Sequence, residues 1–222
     1  MKPTGRGRGP ARGRFIVVEG IDGAGTTTQA RLLGERLRSA GRRVHVTAEP
    51  SGGPIGALVR QVLSGRLLGR APDGAFDPDA LALLFAADRV DHARAEILPA
   101  LEAGIDVVSD RYTLSSLAYQ ALTTGDPRWV EAINSRAPSP EVTLFLRVRH
   151  TVAFARRRAA SHAREIFEKA EFQRKVALAY ERAIGVLRRN GEVIEILDGS
   201  AAPADVAVAI DRAVASLRPA RP

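Results

Sequence analysis

Between Phe15 and Gln29 the sequence reads FIVVEGIDGAGTTTQ, an apolar run of strand length that empties into a glycine-rich turn and then opens a helix. Gly20, Gly25 and Thr27 keep the spacing of a phosphate-binding loop, in which glycine, four residues, glycine, lysine and a hydroxyl residue follow one another. Gly20, Gly23 and Gly25 let successive backbone N–H groups turn toward an anion, and the first turn of the following helix adds its dipole. Gly20, Ile21, Asp22, Gly23, Ala24, Gly25, Thr26, Thr27 and Thr28 are the candidate cradle, with the Thr27 hydroxyl where a Mg²⁺ ion between two phosphates would find a ligand. The lysine position holds Thr26. A threonine donates one hydrogen bond and carries no charge. The cation that normally follows the charge developing on a transferred phosphoryl group is therefore either supplied from elsewhere or absent, leaving a loop that binds nucleotide and catalyses poorly.

Two further clusters follow apolar runs: Glu49-Pro50-Ser51-Gly52-Gly53 and Asp110-Arg111-Tyr112. At the end of a buried strand a guanidinium reaches into the ligand crevice and binds phosphate through two N–H groups, which makes Arg111 a phosphate-binding candidate. Asp110 beside it either orients that arginine or holds a Mg²⁺-bound water; a purely structural Asp–Arg pair is the alternative. Ser116 and Gln120 are four apart and share a helix face. Asp88-Arg89 interrupts a stretch dense in Leu and Ala, where a helix-surface ion pair is the plain reading.

The elements that must position these groups alternate along the chain. Residues 15–19, 44–47, 106–109, 143–148 and 193–197 are short, rich in Val, Ile and Leu, and bounded by Gly, Pro or charge. They read as five parallel strands. Helical spacing runs over 27–40, 55–64, 79–103, 114–122, 127–137, 151–190 and 204–217. This alternation predicts an α/β fold, a five-stranded parallel sheet with helices on both faces, in which ligands gather at the carboxyl ends of the strands. All three clusters fall at such ends.

Composition narrows the function classes. The 222 residues suit one domain, and no apolar run approaches the length of a membrane helix, so a cytoplasmic location is expected. With no cysteine there is no disulfide, thiolate nucleophile or cysteine-ligated metal, and the four histidines show no metal-like pairing. The net charge is +8, but five cations and no acid lie in the first 14 residues. That segment, MKPTGRGRGPARGR, has no apolar periodicity and reads as a disordered basic tail (1–14) ahead of a single domain over 15–222. It is a solubilising extension in the first instance, with weak nucleic-acid contact as the alternative.

Taken together, EGIDGAG followed by TTQ, EPSGGPIG, LLFAADRVDH, SDRYTLSSLAYQ and ILDGS follow the order and spacing of the thymidylate kinase (dTMP kinase) family, and the chain resembles it from Phe15 to about Leu217. The resemblance implies a P-loop fold of the nucleoside-monophosphate kinase type, ATP as phosphoryl donor with Mg²⁺, dTMP as acceptor, and a homodimer. It implies that Phe85 stacks on thymine, that Arg89 hydrogen-bonds its edge beside Ser116 and Gln120, and that Tyr119 packs beneath the deoxyribose. Arg111 and Arg60 would bind phosphate, Asp22 and Glu49 would lie near the acceptor sugar and the transfer centre, and Thr27 and Asp110 would serve the metal. An arginine-rich helical lid around 156–168 would close over the triphosphate. Three positions depart from the family pattern: Thr26 replaces lysine, Ala48 stands where arginine usually precedes Glu49-Pro50, and Ile166 stands where a lid arginine precedes Phe167-Glu168. Arg156, Arg157 and Arg164 are the arginines that would restore the missing charge.

Overall fold

Along the first strand the side chains divide between two apolar layers. Ile16 and Val18 enter the larger buried cluster, whereas Phe15 and Val17 join Ile97, Leu101, Val107 and Tyr112 on the opposite face. A strand covered on both faces needs a continuous apolar sequence rather than an alternating one, and FIVV supplies it. Each of these side chains contributes roughly 1.5–3 kcal/mol by leaving water.

The computed structural model describes residues 11–157 and 163–217, with side chains at all of these except 154, 157 and 163–170. The strands are β1 (Phe15–Gly20), β2 (Val44–Ala48), β3 (Asp106–Asp110), β4 (Val142–Arg147) and β5 (Ile194–Asp198). All pair in parallel, in the order β2-β3-β1-β4-β5. The expected five-stranded parallel sheet is therefore present, with β1 at its centre and helices packed around it.

The helices are α1 (Thr26–Ser39), α2 (Pro54–Leu63), α3 (Pro78–His92), α4 (Leu98–Glu102), α5 (Thr113–Thr124), α6 (Pro127–Asn134), α7 (His150–Arg157), α8 (Ala163–Arg189) and α9 (Pro203–Ala215). Pro78 occupies the first turn of α3, and the Asp77 carboxylate accepts from Asp79 N and Ala80 N, a sharp start written in the sequence. The helix read over 79–103 is present from Pro78 to Glu102 and carries a π-turn at Ala93–Ile97 between α3 and α4, where Pro99 has no N–H to give and its ring crowds the preceding turn.

The helix read over 151–190 is represented by α7 and α8, and residues 158–162 between them, the centre of the proposed lid, lie outside the described residues. Residues 1–10 of the basic tail lie outside them too. Its last part is anchored: Arg12 pairs with Glu141 at 3.0 Å and Arg14 with the buried Asp106 at 2.7 Å.

Candidate active site

The phosphate loop leaves β1 at Gly20 and closes on α1. Gly25 caps the helix with φ of 92°, a left-handed conformation that an L side chain would strain. Ala24 N donates to Ile21 O at 2.9 Å, and Ile21 and Ala24 are buried against the core, so the loop is braced from behind. Thr26 is buried, while Thr27 and Thr28 face out at the start of α1. The Thr27 hydroxyl donates to Asp110 Oδ2 at 2.5 Å, linking the loop to the last residue of β3. The second carboxylate oxygen, Asp110 Oδ1, is buried without a hydrogen-bond partner among the described residues.

Arg111 has φ of 72°, the left-handed conformation at a non-glycine residue. The turn swings its guanidinium back toward the loop, where Nη2 donates to Asp22 Oδ1 at 2.7 Å and Nη1 approaches Ser115 Oγ at 3.3 Å. It also lies over the Tyr119 ring, 5.6 Å from the centroid. Burial opposes its charge, but Tyr180, Tyr119, Asp22 and Glu19 around it outweigh that and hold its pKa above the usual arginine value. Burial likewise pushes the Tyr119 hydroxyl up to about 12, so it is a neutral donor at physiological pH.

Glu19 explains how Arg111 and α5 are fixed. This fully buried carboxylate accepts from Tyr112 N at 2.8 Å and Ser115 N at 3.0 Å, capping α5 from another strand. Its other oxygen accepts from Ser115 Oγ at 2.7 Å and Tyr180 Oη at 3.1 Å. Burial raises its pKa, partly countered by Arg111 and these hydrogen bonds.

Beside this network is a cavity of about 240 Å³. Asp22, Arg111, Ser115 and Tyr119 line it, and so do Glu49, Phe85, Arg89, Ser116 and Gln120. Arg89 is 2% exposed. Its Nε donates to Glu49 Oε2 at 2.9 Å and its Nη2 approaches the same oxygen at 2.7 Å. Nη2 also donates to Tyr112 O at 3.2 Å, and Nη1 to Ser116 Oγ at 3.1 Å and to Asn134 Oδ1. Four hydrogen bonds and the ion pair with Glu49 thus tie the guanidinium to the protein. Because Ser116 Oγ accepts from Arg89, its own hydroxyl proton is left to donate into the cavity. His92 Nδ1 lies 3.2 Å from Glu49 Oε1 and supports the same carboxylate from behind.

The loop after β2 is held by Asp88, which accepts from Ser51 N at 2.7 Å and Ser51 Oγ at 2.6 Å. Gly56 makes this possible, since a Cβ there would stand 2.2 Å from Ser51 O. Arg60 donates from Nη1 to Pro50 O at 2.9 Å and to Ser51 O, so it steadies this loop as well as bordering it. A second cavity, of about 460 Å³, lies beyond the ends of β4 and β5, lined by Arg147, Arg149, Asp198 and Ser200 among others. Arg156 donates there to Gly199 O at 3.0 Å and Ser200 O at 3.3 Å. The side chains of Arg157 and Arg164 lie outside the described residues.

Glu19, His92, Asn134, Ser115, Gln173 and Tyr180 were not singled out by the sequence, and Asp88-Arg89, read as a helix-surface ion pair, is instead buried, with Asp88 on Ser51 and Arg89 on Glu49. Glu19 had a signal, a carboxylate ending an otherwise apolar strand. Gln173 and Tyr180 on α8 had none, because more than 150 residues separate them from the loop they touch.

A phosphate loop after the central strand of a parallel sheet, with Arg111 between it and the neighbouring cavity, defines a P-loop protein of the nucleoside-monophosphate kinase type. The Thymidylate kinase family model matches residues 18–206. A probable thymidylate kinase of Pyrobaculum aerophilum is 40% identical over 205 residues, covering 90% of this chain and 97% of that protein. Another of Pyrobaculum calidifontis is 41% identical over 210 residues (92% and 99%), and a thymidylate kinase of Thermomicrobium roseum is 39% identical over 203 residues (88% and 91%). The chain belongs to the thymidylate kinase family. No helix among the described residues is long and apolar enough to cross a membrane.

Proposed function

We propose that the protein transfers the γ-phosphoryl group of ATP to dTMP, giving dTDP and ADP. The observation that carries this reading is the contact between the phosphate loop and the acceptor cavity: Asp22 of the loop and Arg111 of the cavity wall are 2.7 Å apart, so donor and acceptor phosphates bound on either side would meet there. In the transfer, an oxygen of the dTMP phosphate forms a bond to the γ-phosphorus as the bond from that phosphorus to the β–γ bridging oxygen breaks. The attacking oxygen is already ionised at neutral pH, so positioning and charge stabilisation suffice and no strong general base is needed.

Each residue's part follows from its surroundings. The loop N–H groups would hold the β- and γ-phosphates, and Arg111 the acceptor phosphate. Phe85 would stack on thymine while Ser116, donating from its hydroxyl, and Gln120 read its polar edge; Arg89 orders that wall. Tyr119 would lie under the deoxyribose, and the cavity beyond β4 and β5 would take the donor's base. Thr27 and Asp110 fit a Mg²⁺ ion, because Asp110 Oδ1 is a buried carboxylate oxygen with no partner among the described residues and the Thr27 hydroxyl gives its proton to Oδ2, leaving its lone pairs free. When bound, Mg²⁺ would neutralise phosphate charge. Arg156, Arg157 and Arg164 would supply the charge that Thr26 lacks. A homodimer in the cytoplasm completes the proposal, supported by the exposure of Leu63, Leu68 and Leu83 near α2 and α3.

A second reading, a catalytically impaired nucleotide-binding protein with a regulatory or assembly role, is favoured by one observation: Arg156, the lid arginine whose side chain is described, is already engaged by Gly199 and Ser200. A coupled ADP-release assay separates the two. ADP formation that requires dTMP supports the kinase; measurable nucleotide binding with no dTMP-dependent turnover supports the alternative.

A further inference from the structure

Helix α5 separates two cavities. Its Ser116, Tyr119 and Gln120 line the one beside Arg111, whereas its Leu117 and Ala121 line another, of about 630 Å³, formed by residues of α5, α6 and α8. On α8 this second groove takes Ala179, Arg182, Ala183, Val186 and Arg189, whose spacings of three and four put them on one helix face. Alanine at 121, 179 and 183 leaves the space open, since none of the three carries more than a methyl group. Leu117, Ala121 and Ala183 are buried, with Leu122 and Val186 half-buried beside them, so the floor is apolar. Charge around it is one-sided. Arg128, Arg182 and Arg189 line the groove against a single acid, Glu131, whose Oε1 accepts from Asn190 Nδ2 at 2.8 Å. The three arginines are exposed, and their side chains make no hydrogen bond or ion pair among the described residues. Arg147, by contrast, pairs with Glu181 at 2.8 Å. Like charges gathered without counterions repel one another, and a bound anion turns that repulsion into attraction.

We infer that this groove is a second binding site, for an alkyl phosphate monoester whose aliphatic chain lies along the apolar floor and whose phosphate is held by Arg128, Arg182 and Arg189. The volume lies within the roughly 300–1,000 Å³ of small-molecule sites. Three arginines against one carboxylate leave two positive charges in excess, and a phosphate monoester carries close to two negative charges at neutral pH. Guanidinium forks suit its oxygens. The body of the ligand is aliphatic rather than a nucleobase, because among the described residues no aromatic ring lines the groove to stack on a planar base, and the amide of Asn190 is already engaged by Glu131.

The test titrates the full chain with octyl phosphate by calorimetry, with ADP and dTMP present in excess so that the phosphate loop and the cavity beside Arg111 are filled. One molecule per chain is expected, bound about tenfold more tightly than octyl glucoside, which has the chain without the charge, and about tenfold more tightly than inorganic phosphate, which has the charge without the chain. The double variant Arg182→Gln, Arg189→Gln should weaken octyl phosphate about tenfold and change octyl glucoside by less than about twofold. Ala179→Leu, which fills the groove, should weaken both. Octyl phosphate that binds the variants as it binds wild type would overturn the inference, because the ligand would then sit elsewhere. Inorganic phosphate bound as tightly as octyl phosphate would overturn it by removing the apolar floor, and octanoate bound as tightly would overturn the phosphate headgroup. If Ala179→Leu does not fold, the exposed arginine pair still decides. These variants locate the ligand whether or not dTMP is phosphorylated, so failure of the kinase reading and failure of this inference are separate results.

Discussion

Arg111 Nη2 lies 2.7 Å from Asp22 Oδ1, and this pair joins the phosphate loop after β1 to the cavity wall after β3. The pairing depends on the left-handed backbone at Arg111, φ of 72°, which points its guanidinium back over the loop instead of along α5. A conformation of this kind costs on the order of 1–2 kcal/mol at a non-glycine residue and persists where the surroundings determine it. Here Glu19 does so, by capping α5 through Tyr112 N and Ser115 N.

Arg111→Ala is therefore expected to lower kcat/KM for dTMP about 100-fold, as loss of charge-assisted hydrogen bonds worth about 2–3 kcal/mol would. Arg111→Lys keeps the charge without the planar fork and should recover only part of the loss. Steady-state kinetics with dTMP varied at saturating ATP checks both; unchanged values would remove Arg111 from the site.

Arg89 and Glu49 form a buried pair, with side chains 2% and 3% exposed. Breaking it from one side leaves a carboxylate in the core, so Arg89→Met should cost about 3–5 kcal/mol of stability. The double variant Arg89→Met, Glu49→Leu should cost clearly less than the two single changes added together. Urea unfolding of the four proteins measures the coupling, and strict additivity would contradict it.

Asp106 binds both Arg14 and Arg42, at 2.7 and 2.6 Å. Burial would raise its pKa, but hydrogen bonds from Arg42 and Arg14 bring it from the ordinary 3.8 to about 2. The folded value is below the unfolded one, so the ionised group stabilises the fold above about pH 4, and that stabilisation fades as the pH falls toward 2. Asp106→Asn should cost about 2 kcal/mol near neutrality and flatten the acid limb of stability between about pH 2 and 4. Urea midpoints measured across that range test this.

What the sequence revealed and what it hid follow from distance along the chain. The phosphate loop, Glu49-Pro50 and Asp110-Arg111 could be read because each is local: a strand, its end, and the residues immediately after. Ser116 with Gln120 could be read because helical spacing places them on one face, whereas Phe85 and the role of Arg89 came only from the family resemblance. The braces could not, since His92 behind Glu49, Tyr180 on Glu19 and Gln173 on Asp22 meet only after the sheet is assembled. Pro99 marks the π-turn between α3 and α4, which the strong apolar spacing over 79–103 hid. The holding of Arg89 is also a product of packing, as Asn134 and the Tyr112 carbonyl reach it from α6 and the turn before α5.

Thr26 is buried within the loop. If arginines elsewhere carry the charge of the missing lysine, a lysine added here is redundant and crowds a filled position. Thr26→Lys should then raise kcat by no more than about tenfold, within what one added charge contact supplies, and a fall is equally consistent with the account. A gain of a thousandfold or so, measured as steady-state dTDP formation, would mean that the native loop lacks its cation outright.

The most direct measurement follows labelled phosphate from [γ-³²P]ATP in the presence of Mg²⁺ and dTMP, with the wild-type protein and separation of the nucleotides. Label should appear in dTDP, only when dTMP is present, and this transfer should be lost in Arg111→Ala. ATP and dTMP that both bind by calorimetry while the label stays in ATP would contradict phosphoryl transfer at this site.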